Sequence, residues 1–137
     1  MKQKLSLLFV LVFSVFSILQ TVVLADDISL FNNNTATTFT DFAIVDDGTA
    51  IVNVNYTGYS DVTTGATIKI TIEKKTLLFF WNDVISETYT VNGYRYTNEY
   101  CYQLEDTGTY RCTVEYVISG TGGADDVITF ENTKAYG

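Results

Sequence analysis

The chain has 137 residues, of which 47% are hydrophobic, and its sixteen Asp and Glu against eight Lys and Arg give a net charge of −8. Because nucleic-acid binding depends on Lys and Arg that neutralise phosphates, this charge argues against a DNA or RNA partner and against adsorption onto anionic lipid. Histidine is absent, so the commonest general base and the commonest zinc ligand are both missing.

Residues 1–25 have the pattern of a secretory signal. Lys2 and Lys4 precede an apolar run over residues 5–24, which ends at Ala25 before two aspartates. This order is typical of a cleaved signal peptide. The alternative is an uncleaved anchor, since about 20 apolar residues can span a bilayer. We expect a secreted protein, extracellular or in the cell envelope, with no membrane contact after signal cleavage and a net charge of −10 once both lysines are lost.

The rest of the chain is divided into a polar lead-in over residues 26–38, with a loose first strand as the alternative, and one domain over residues 39–137. Val, Ile, Thr and aromatic residues alternate with polar ones in short runs, which predicts an all-β fold. Asp46-Asp47-Gly48 and Asn92-Gly93 separate runs and are typical of β-hairpin turns. We predict a single antiparallel β-sandwich of about seven strands. The predicted strands cover residues 39–45, 49–57, 67–75, 83–91, 94–104, 109–119 and 127–133.

The segment over residues 104–112 resembles the corner that leads into strand F of immunoglobulin-like domains, usually written Asp-x-Gly-x-Tyr-x-Cys. The resemblance implies that Tyr110 buries its ring and donates a hydrogen bond upstream to the backbone. Leu104, six residues earlier, would pack beneath the turn, as in fibronectin type III-like domains. No cysteine lies on the predicted second strand, so a true antibody-type domain is not expected. The residues of this corner are Leu104, Asp106, Gly108 and Tyr110.

A looser resemblance covers most of the mature chain. Gly48-Thr49-Ala50, an Ile-rich strand, a central Trp81 and a glycine-rich segment over residues 120–126 follow one another. This order is similar to that of small secreted proteins of Gram-positive bacteria with no assigned function. The resemblance implies an immunoglobulin-like fold and no known activity.

The two cysteines leave a disulfide open. An oxidising compartment favours a bridge between Cys101 and Cys112. Strand alternation opposes it, because Cys112 shares the inward face and Cys101 shares the face of Arg95 and Glu99. A β-bulge near Asn98 would reverse the faces and permit the bridge. Neither cysteine has a histidine to hold its thiolate, so neither is expected to be catalytic.

Aromatic residues supply the candidate binding surface. Residues 77–81 are apolar at both odd and even positions. The two faces of such a strand cannot both lie in the core. We predict a partner surface there, with Trp81 as a core plug in the alternative. The tyrosines at 94, 96, 100 and 102 share one parity and are expected on the inner face, a stacking platform for sugars being the alternative. The loops over residues 59–61 and 120–126 are expected to add contacts. The candidate surface residues are Leu77, Leu78, Phe79, Phe80, Trp81 and Tyr59.

The sequence contains few patterns that are typical of catalytic or metal-binding sites. Acidic loops at Asp46-Asp47, Glu105-Asp106, Asp61 and Asp125-Asp126 lack the spaced carboxylates of a calcium site, and solvated turns are expected. No enzyme, cofactor or metal is expected, since no phosphate loop or nucleophile motif is present. The expected function is a non-catalytic binding or interaction module for an extracellular protein or glycan. Its alternatives are a carbohydrate-binding β-sandwich and a structural envelope or adhesion subunit.

Overall fold

A computed structural model describes residues 32–137, so the predicted signal at residues 1–25 and residues 26–31 of the lead-in lie outside the described residues. The described chain forms seven strands and contains no helix. The predicted seven-stranded β-sandwich is confirmed. The strands are β1 (Thr35–Ile44), β2 (Thr49–Gly58), β3 (Thr63–Thr76), β4 (Phe80–Asn92), β5 (Arg95–Gln103), β6 (Gly108–Gly120) and β7 (Asp126–Tyr136).

The strands form two antiparallel sheets, one in the order β1-β2-β5 and the other in the order β4-β3-β6-β7. The prediction of a hairpin at Asn92-Gly93 is wrong, because β4 and β5 lie in different sheets. Gly93 N donates to Thr64 O at 2.8 Å, and Gly58 N donates to Tyr94 O at 2.7 Å. The backbone of this turn therefore bonds to the ends of β3 and β2 and carries the chain from one sheet to the other. Immunoglobulin constant domains instead keep the fourth strand with the first, second and fifth.

The core lies between the inner faces of the two sheets. In β2, and in β3 from Ala66 to Ile72, every second residue is buried, as expected where one face of a strand is packed and the other is solvated. Burial of a large aliphatic or aromatic side chain stabilises the fold by roughly 1.5–3 kcal/mol. The buried residues are Phe42, Ala50, Val52, Val54, Tyr56, Ala66, Ile68, Ile70, Ile72, Leu104, Tyr110, Cys112, Val114, Tyr116 and Ile118.

Tyrosines close the side of the sandwich between β4 and β5. The rings of Tyr89 and Tyr100 stack with centroids 4.1 Å apart. The hydroxyls of Tyr89 and Tyr102 are 3.0 Å apart, and those of Tyr96 and Tyr100 are 2.8 Å apart. Burial, with the Tyr96 hydrogen bond, raises the pKa of Tyr100 to about 12. Three of the four tyrosines predicted on the inner face pack against the core, whereas Tyr94 is 37% exposed at the turn.

The start of β1 is fixed by a cluster that we call the polar lock, formed by Asn33, Asn34 and Asp126. The Asp126 carboxylate accepts hydrogen bonds from the backbone N–H groups of Asn33 at 2.8 Å and Asn34 at 2.7 Å. The buried Asn34 side chain donates to Ala124 O at 3.0 Å and accepts from Gly122 N at 3.1 Å. Strand β1 thus begins within the segment predicted as a lead-in.

Two opposing effects act on the pKa of Asp126. Burial raises it, because a charged carboxylate loses hydration, and the hydrogen bonds from Asn34 and Asn33 lower it. The net pKa lies below the ordinary value of 3.8. The polar lock therefore holds an ionised carboxylate at neutral pH.

The corner that leads into β6 has the geometry implied by the immunoglobulin-like motif. The Tyr110 hydroxyl donates to Asp106 O at 2.6 Å, and Leu104 is 5% exposed beneath the turn. Gly108 has φ +149°, and a Cβ added there would lie 3.0 Å from Lys74 Cε. The positive φ favours glycine at this position.

Both cysteines are free thiols and lie apart, so the disulfide alternative is wrong. Cys101 is exposed on β5, and Cys112 is buried on β6 in the other sheet. The pairing of β2 with β5 runs without a shift, so no bulge near Asn98 reverses the faces. Burial raises the pKa of the Cys112 thiol to about 12, which leaves it protonated and unreactive in the native state.

Candidate functional site

The β3–β4 hairpin ends in four exposed apolar side chains, which we call the apolar tip. Thr76 pairs with Phe80, so the turn consists of Leu77, Leu78 and Phe79. The exposed fractions of the turn residues are 84%, 77% and 82%, and that of Phe80 is 63%. A turn of this length normally carries Gly, Asn, Asp or Ser. The apolar residues are therefore not explained by the turn itself or by the core.

Leu77 has a backbone conformation that leucine rarely adopts. Its φ is +55°, and it is the one described non-glycine residue with a positive φ. The left-handed region destabilises an ordinary residue by roughly 1–2 kcal/mol, and glycine occupies it freely. An apolar side chain therefore occupies a position where glycine would have the lower conformational free energy. Such strain is common at functional sites.

The apolar tip projects past the rest of its sheet. The last pair between β3 and β6 is Lys74 with Tyr110, whereas the pairing with β4 continues to Thr76. Continued in register, Thr76 lies level with Gly108, which pairs with Tyr136 of β7, so only the turn over residues 77–79 lies beyond the strands of this sheet. The tip is thus supported by its own hairpin and surrounded by solvent.

Trp81 lies at the base of the tip on the outer face of the four-stranded sheet, so its alternative as a core plug is wrong. The Arg111 guanidinium carbon lies 4.5 Å from the centre of the indole ring, and Lys75 Nζ lies 5.9 Å from it. Arg111 is held by Glu73, whose Oε2 accepts from the guanidinium at 2.7 Å. Trp81 is therefore packed against cations and only partly exposed.

A β-bulge explains the orientation of Trp81. The pairing of β3 with β4 skips Val84, which is an extra residue in β4. One extra residue exchanges the two faces of a strand. Ile85 packs against the core, and Trp81, four residues earlier, consequently faces outward. Simple alternation along the sequence would have placed both residues on the same face.

Three of the six Lys and Arg residues that follow residue 25 lie at the base of the tip. Lys74 Nζ is 3.1 Å from Asp106 Oδ2, and Arg111 is paired with Glu73. Lys75 forms no ion pair within residues 32–137. The base of the tip therefore holds two neutralised cations and one free cation.

A shallow pocket of about 300 Å³ lies beside the hairpin, between β4 and the β5–β6 loop. The carboxylates of Glu105 and Asp106 reach it, and Asp106 is bonded there to Lys74. Over residues 32–137, no group of three His, Cys, Asp or Glu side chains is arranged to hold a metal ion. The pocket offers one ion pair on a partly apolar wall. Its walls are Lys74, Val84, Ile85, Gln103, Leu104, Glu105, Asp106 and Tyr110.

Tyr59 does not lie near the apolar tip. It is 46% exposed in the loop before β3, and the tip follows the other end of the same strand. The 14 residues of β3 separate them by roughly 40 Å. The loops over residues 59–61 and 120–126 do lie together, since Thr121 N donates to Val62 O at 2.9 Å. The predicted surface thus divides into the apolar tip with Trp81 and a separate loop pair that contains Tyr59.

The polar lock is the feature that sequence reasoning missed. The asparagines at 33 and 34 were interpreted as a polar lead-in and Asp126 as a solvated loop residue. Their hydrogen bonds join positions more than 90 residues apart in the chain. No local pattern carries that information, apart from a Gly-rich loop that lets backbones approach closely.

No protein-family model, no curated protein and no solved structure matches the chain. The resemblance to small secreted proteins of Gram-positive bacteria therefore stays a prediction. In the described part of the chain, no helix has the length and apolar character needed to cross a membrane.

Proposed function

We propose that the chain is an exported, non-catalytic binding module whose contact surface is the apolar tip. The main observation in its support is the exposure of four apolar residues at one projecting turn. The exposed fractions lie between 63% and 84% for Leu77, Leu78, Phe79 and Phe80. Contiguous exposed apolar surface on a soluble domain marks an interaction site. Burial of these side chains against a partner would supply the binding free energy that the isolated fold leaves unused.

The conformation of Leu77 supports the same proposal. A fold that needed only a turn would be stabilised by glycine at φ +55°. The presence of leucine at this position supports a role for its side chain in contact with a partner. Trp81 adds a rigid base, since its ring is packed against Arg111 and Lys75.

The carbohydrate-binding alternative is less well supported. It requires an open indole face for a sugar ring, whereas two cations lie over the ring of Trp81. The structural-subunit alternative rests on the 13-residue edge strand β4, whose outer backbone groups have no partner strand within residues 32–137. Its charged Glu87 lies on the inward parity of that edge, a placement that opposes pairing with a second sheet.

A pull-down with matched variants tests the proposal. The chain from Asp26 onward, which contains the whole described domain, is immobilised and exposed to envelope and medium extract from the producing organism. We expect a lipid, protein or glycan that is retained by the parent and lost when Leu78 and Phe79 are both changed to Ser. Phe39→Ser is the control, because Phe39 is also exposed, at 63%, and lies on β1.

The outcome that contradicts the proposal is equally clear. If the folded parent retains nothing, or if retention survives the double substitution, the apolar tip is not the contact surface. Circular dichroism and thermal unfolding of each variant establish that the domain is folded before retention is compared.

A further inference from the structure

The apolar tip is apolar in every direction. Residues 77–79 form the turn and Phe80 is the first residue of β4, and all four side chains are exposed by more than 60%. A groove on a protein receives one face of an inserted strand and leaves the other face to solvent. A medium that surrounds the turn on all sides would bury the four side chains together.

The residues behind the tip follow the polarity gradient of a bilayer surface. Beyond the tip comes Trp81, and around Trp81 lie Lys75 and Arg111, at 5.9 Å and 4.5 Å from the ring. In membrane proteins apolar side chains occupy the hydrocarbon, Trp lies at the interface, and Lys and Arg extend to the headgroups. The hairpin presents these three classes in the same order.

The dimensions of the hairpin fit shallow insertion. Only the turn over residues 77–79 lies beyond the paired ends of the strands in this sheet, and interfacial segments are buried by about 5–10 Å. Unpaired backbone groups are unfavourable in hydrocarbon. The pair between Thr76 and Phe80 leaves a three-residue turn outside the ladder, so insertion limited to this turn and the side chain of Phe80 keeps the free backbone edge of β4 outside the hydrocarbon.

The charges near the tip are of both signs. Lys74 and Arg111 are paired with Asp106 and Glu73, and Lys75 forms no ion pair within residues 32–137. Asp83, which is paired with Glu73 across β3 and β4, adds an exposed carboxylate. The acidic net charge opposes electrostatic adsorption onto anionic lipid, and it does not oppose insertion of uncharged side chains. Apolar insertion is therefore the expected driving force, and neutral lipid should suffice.

From these observations we propose that the partner of the apolar tip is the surface of a lipid bilayer, into which Leu77, Leu78, Phe79 and Phe80 insert. This inference rests on the proposed function, since it names the partner of the same surface. It is a peripheral contact made by one hairpin, with the sandwich outside the membrane.

Vesicle binding with fluorescence tests the inference. Trp81 is the single tryptophan of the chain, so its emission reports directly on the base of the hairpin. The chain from Asp26 onward is mixed with phosphatidylcholine vesicles and with vesicles that also contain phosphatidylglycerol. We expect co-sedimentation with both, a blue shift of the Trp81 emission, and little loss of binding at high salt.

Two phenylalanines of equal exposure give the matched comparison. Phe80 and Phe39 are both 63% exposed, and only Phe80 belongs to the tip. Phe80→Ser is expected to weaken vesicle binding at least about tenfold, because one buried aromatic side chain is lost. Phe39→Ser is expected to leave binding unchanged. Equal effects of the two substitutions would overturn the inference.

Leu77→Gly separates binding from folding. Glycine accepts φ +55° without strain, so the midpoint of thermal unfolding should not fall, while vesicle binding should weaken several-fold. Unchanged vesicle binding in this variant would contradict insertion of the turn.

The failure of this inference is distinguishable from failure of the proposed function. If the folded parent binds neither kind of vesicle but retains a protein or glycan in a tip-dependent way, the lipid inference is overturned and the binding-module proposal stands. Binding that needs phosphatidylglycerol, disappears in salt and is insensitive to Phe80→Ser would also overturn it.

Discussion

The two ends of the sandwich differ in which groups are buried and which are exposed. At the end where β3 begins, the polar lock buries the Asn34 side chain completely and leaves Asp126 only 7% exposed. At the end where β3 finishes, the apolar tip exposes four large hydrophobic side chains. One end places hydrogen-bonding groups inside, and the other places apolar groups outside.

Under the proposed function, the residues that stabilise the fold and the residues that contact a partner lie at different ends of one small domain. Buried polar groups are tolerated where partners satisfy them, and removal of one partner leaves the others unsatisfied. Exposed apolar groups contribute almost nothing to the isolated fold, so their removal should be nearly neutral for stability. Mutations in the polar lock are therefore expected to lower stability, and mutations in the apolar tip are expected to leave it nearly unchanged.

Asn34→Ala should give the largest loss of stability. The substitution removes the donor to Ala124 O and the acceptor of Gly122 N and leaves both backbone groups poorly satisfied. We expect the free energy of unfolding to fall by about 2–4 kcal/mol, measured by urea denaturation. Asn82→Ala, at an exposed position of β4, is the control and should change it by less than about 0.5 kcal/mol. Equal effects would show that the polar lock does not stabilise the domain.

Asp126→Asn should give a smaller loss that depends on pH. Because the folded pKa of Asp126 lies below 3.8, its contribution is present above the unfolded pKa and is lost as pH falls through the folded value. At pH 7 we expect the variant to unfold more easily by about 1.5–3 kcal/mol. The difference from the parent should shrink below about pH 4. A constant difference from pH 7 to acid would contradict an ionised carboxylate in the lock.

Leu78→Ser should have the smallest effect on stability. The side chain is 77% exposed and packs against no core residue, so the free energy of unfolding should change by less than about 0.5 kcal/mol. Thermal or urea unfolding measures it directly. A loss comparable to that of Asn34→Ala would mean that the tip is part of the folding core, and the contrast between the two ends would disappear.

Local alternation was sufficient to predict the strands. Val52, Val54 and Tyr56 in β2, or Ile68, Ile70 and Ile72 in β3, identify the inward face without any knowledge of the partner strand. The motif around Tyr110 predicted the corner for the same reason, since the donor and acceptor of its hydrogen bond are four residues apart.

Features that depend on distant residues were not predictable in this way. The polar lock joins Asn34 to Asp126 across the whole domain. The bulge at Val84 is visible only in the register against β3, and it turns Trp81 outward. The Asn92-Gly93 turn has hairpin composition, yet the sheet that β5 joins is determined by pairing with β2. The candidate surface was predictable because an apolar run on both parities is itself a local signal.

Because one free thiol is exposed and the other is buried, chemical modification of the thiols can measure how often the native domain opens. Cys101 is exposed and Cys112 is buried, with its pKa raised to about 12. In the absence of denaturant, a thiol reagent should modify one site rapidly and the second only when the sheets separate. The slow phase of that modification gives the frequency of native-state opening, without a probe being attached.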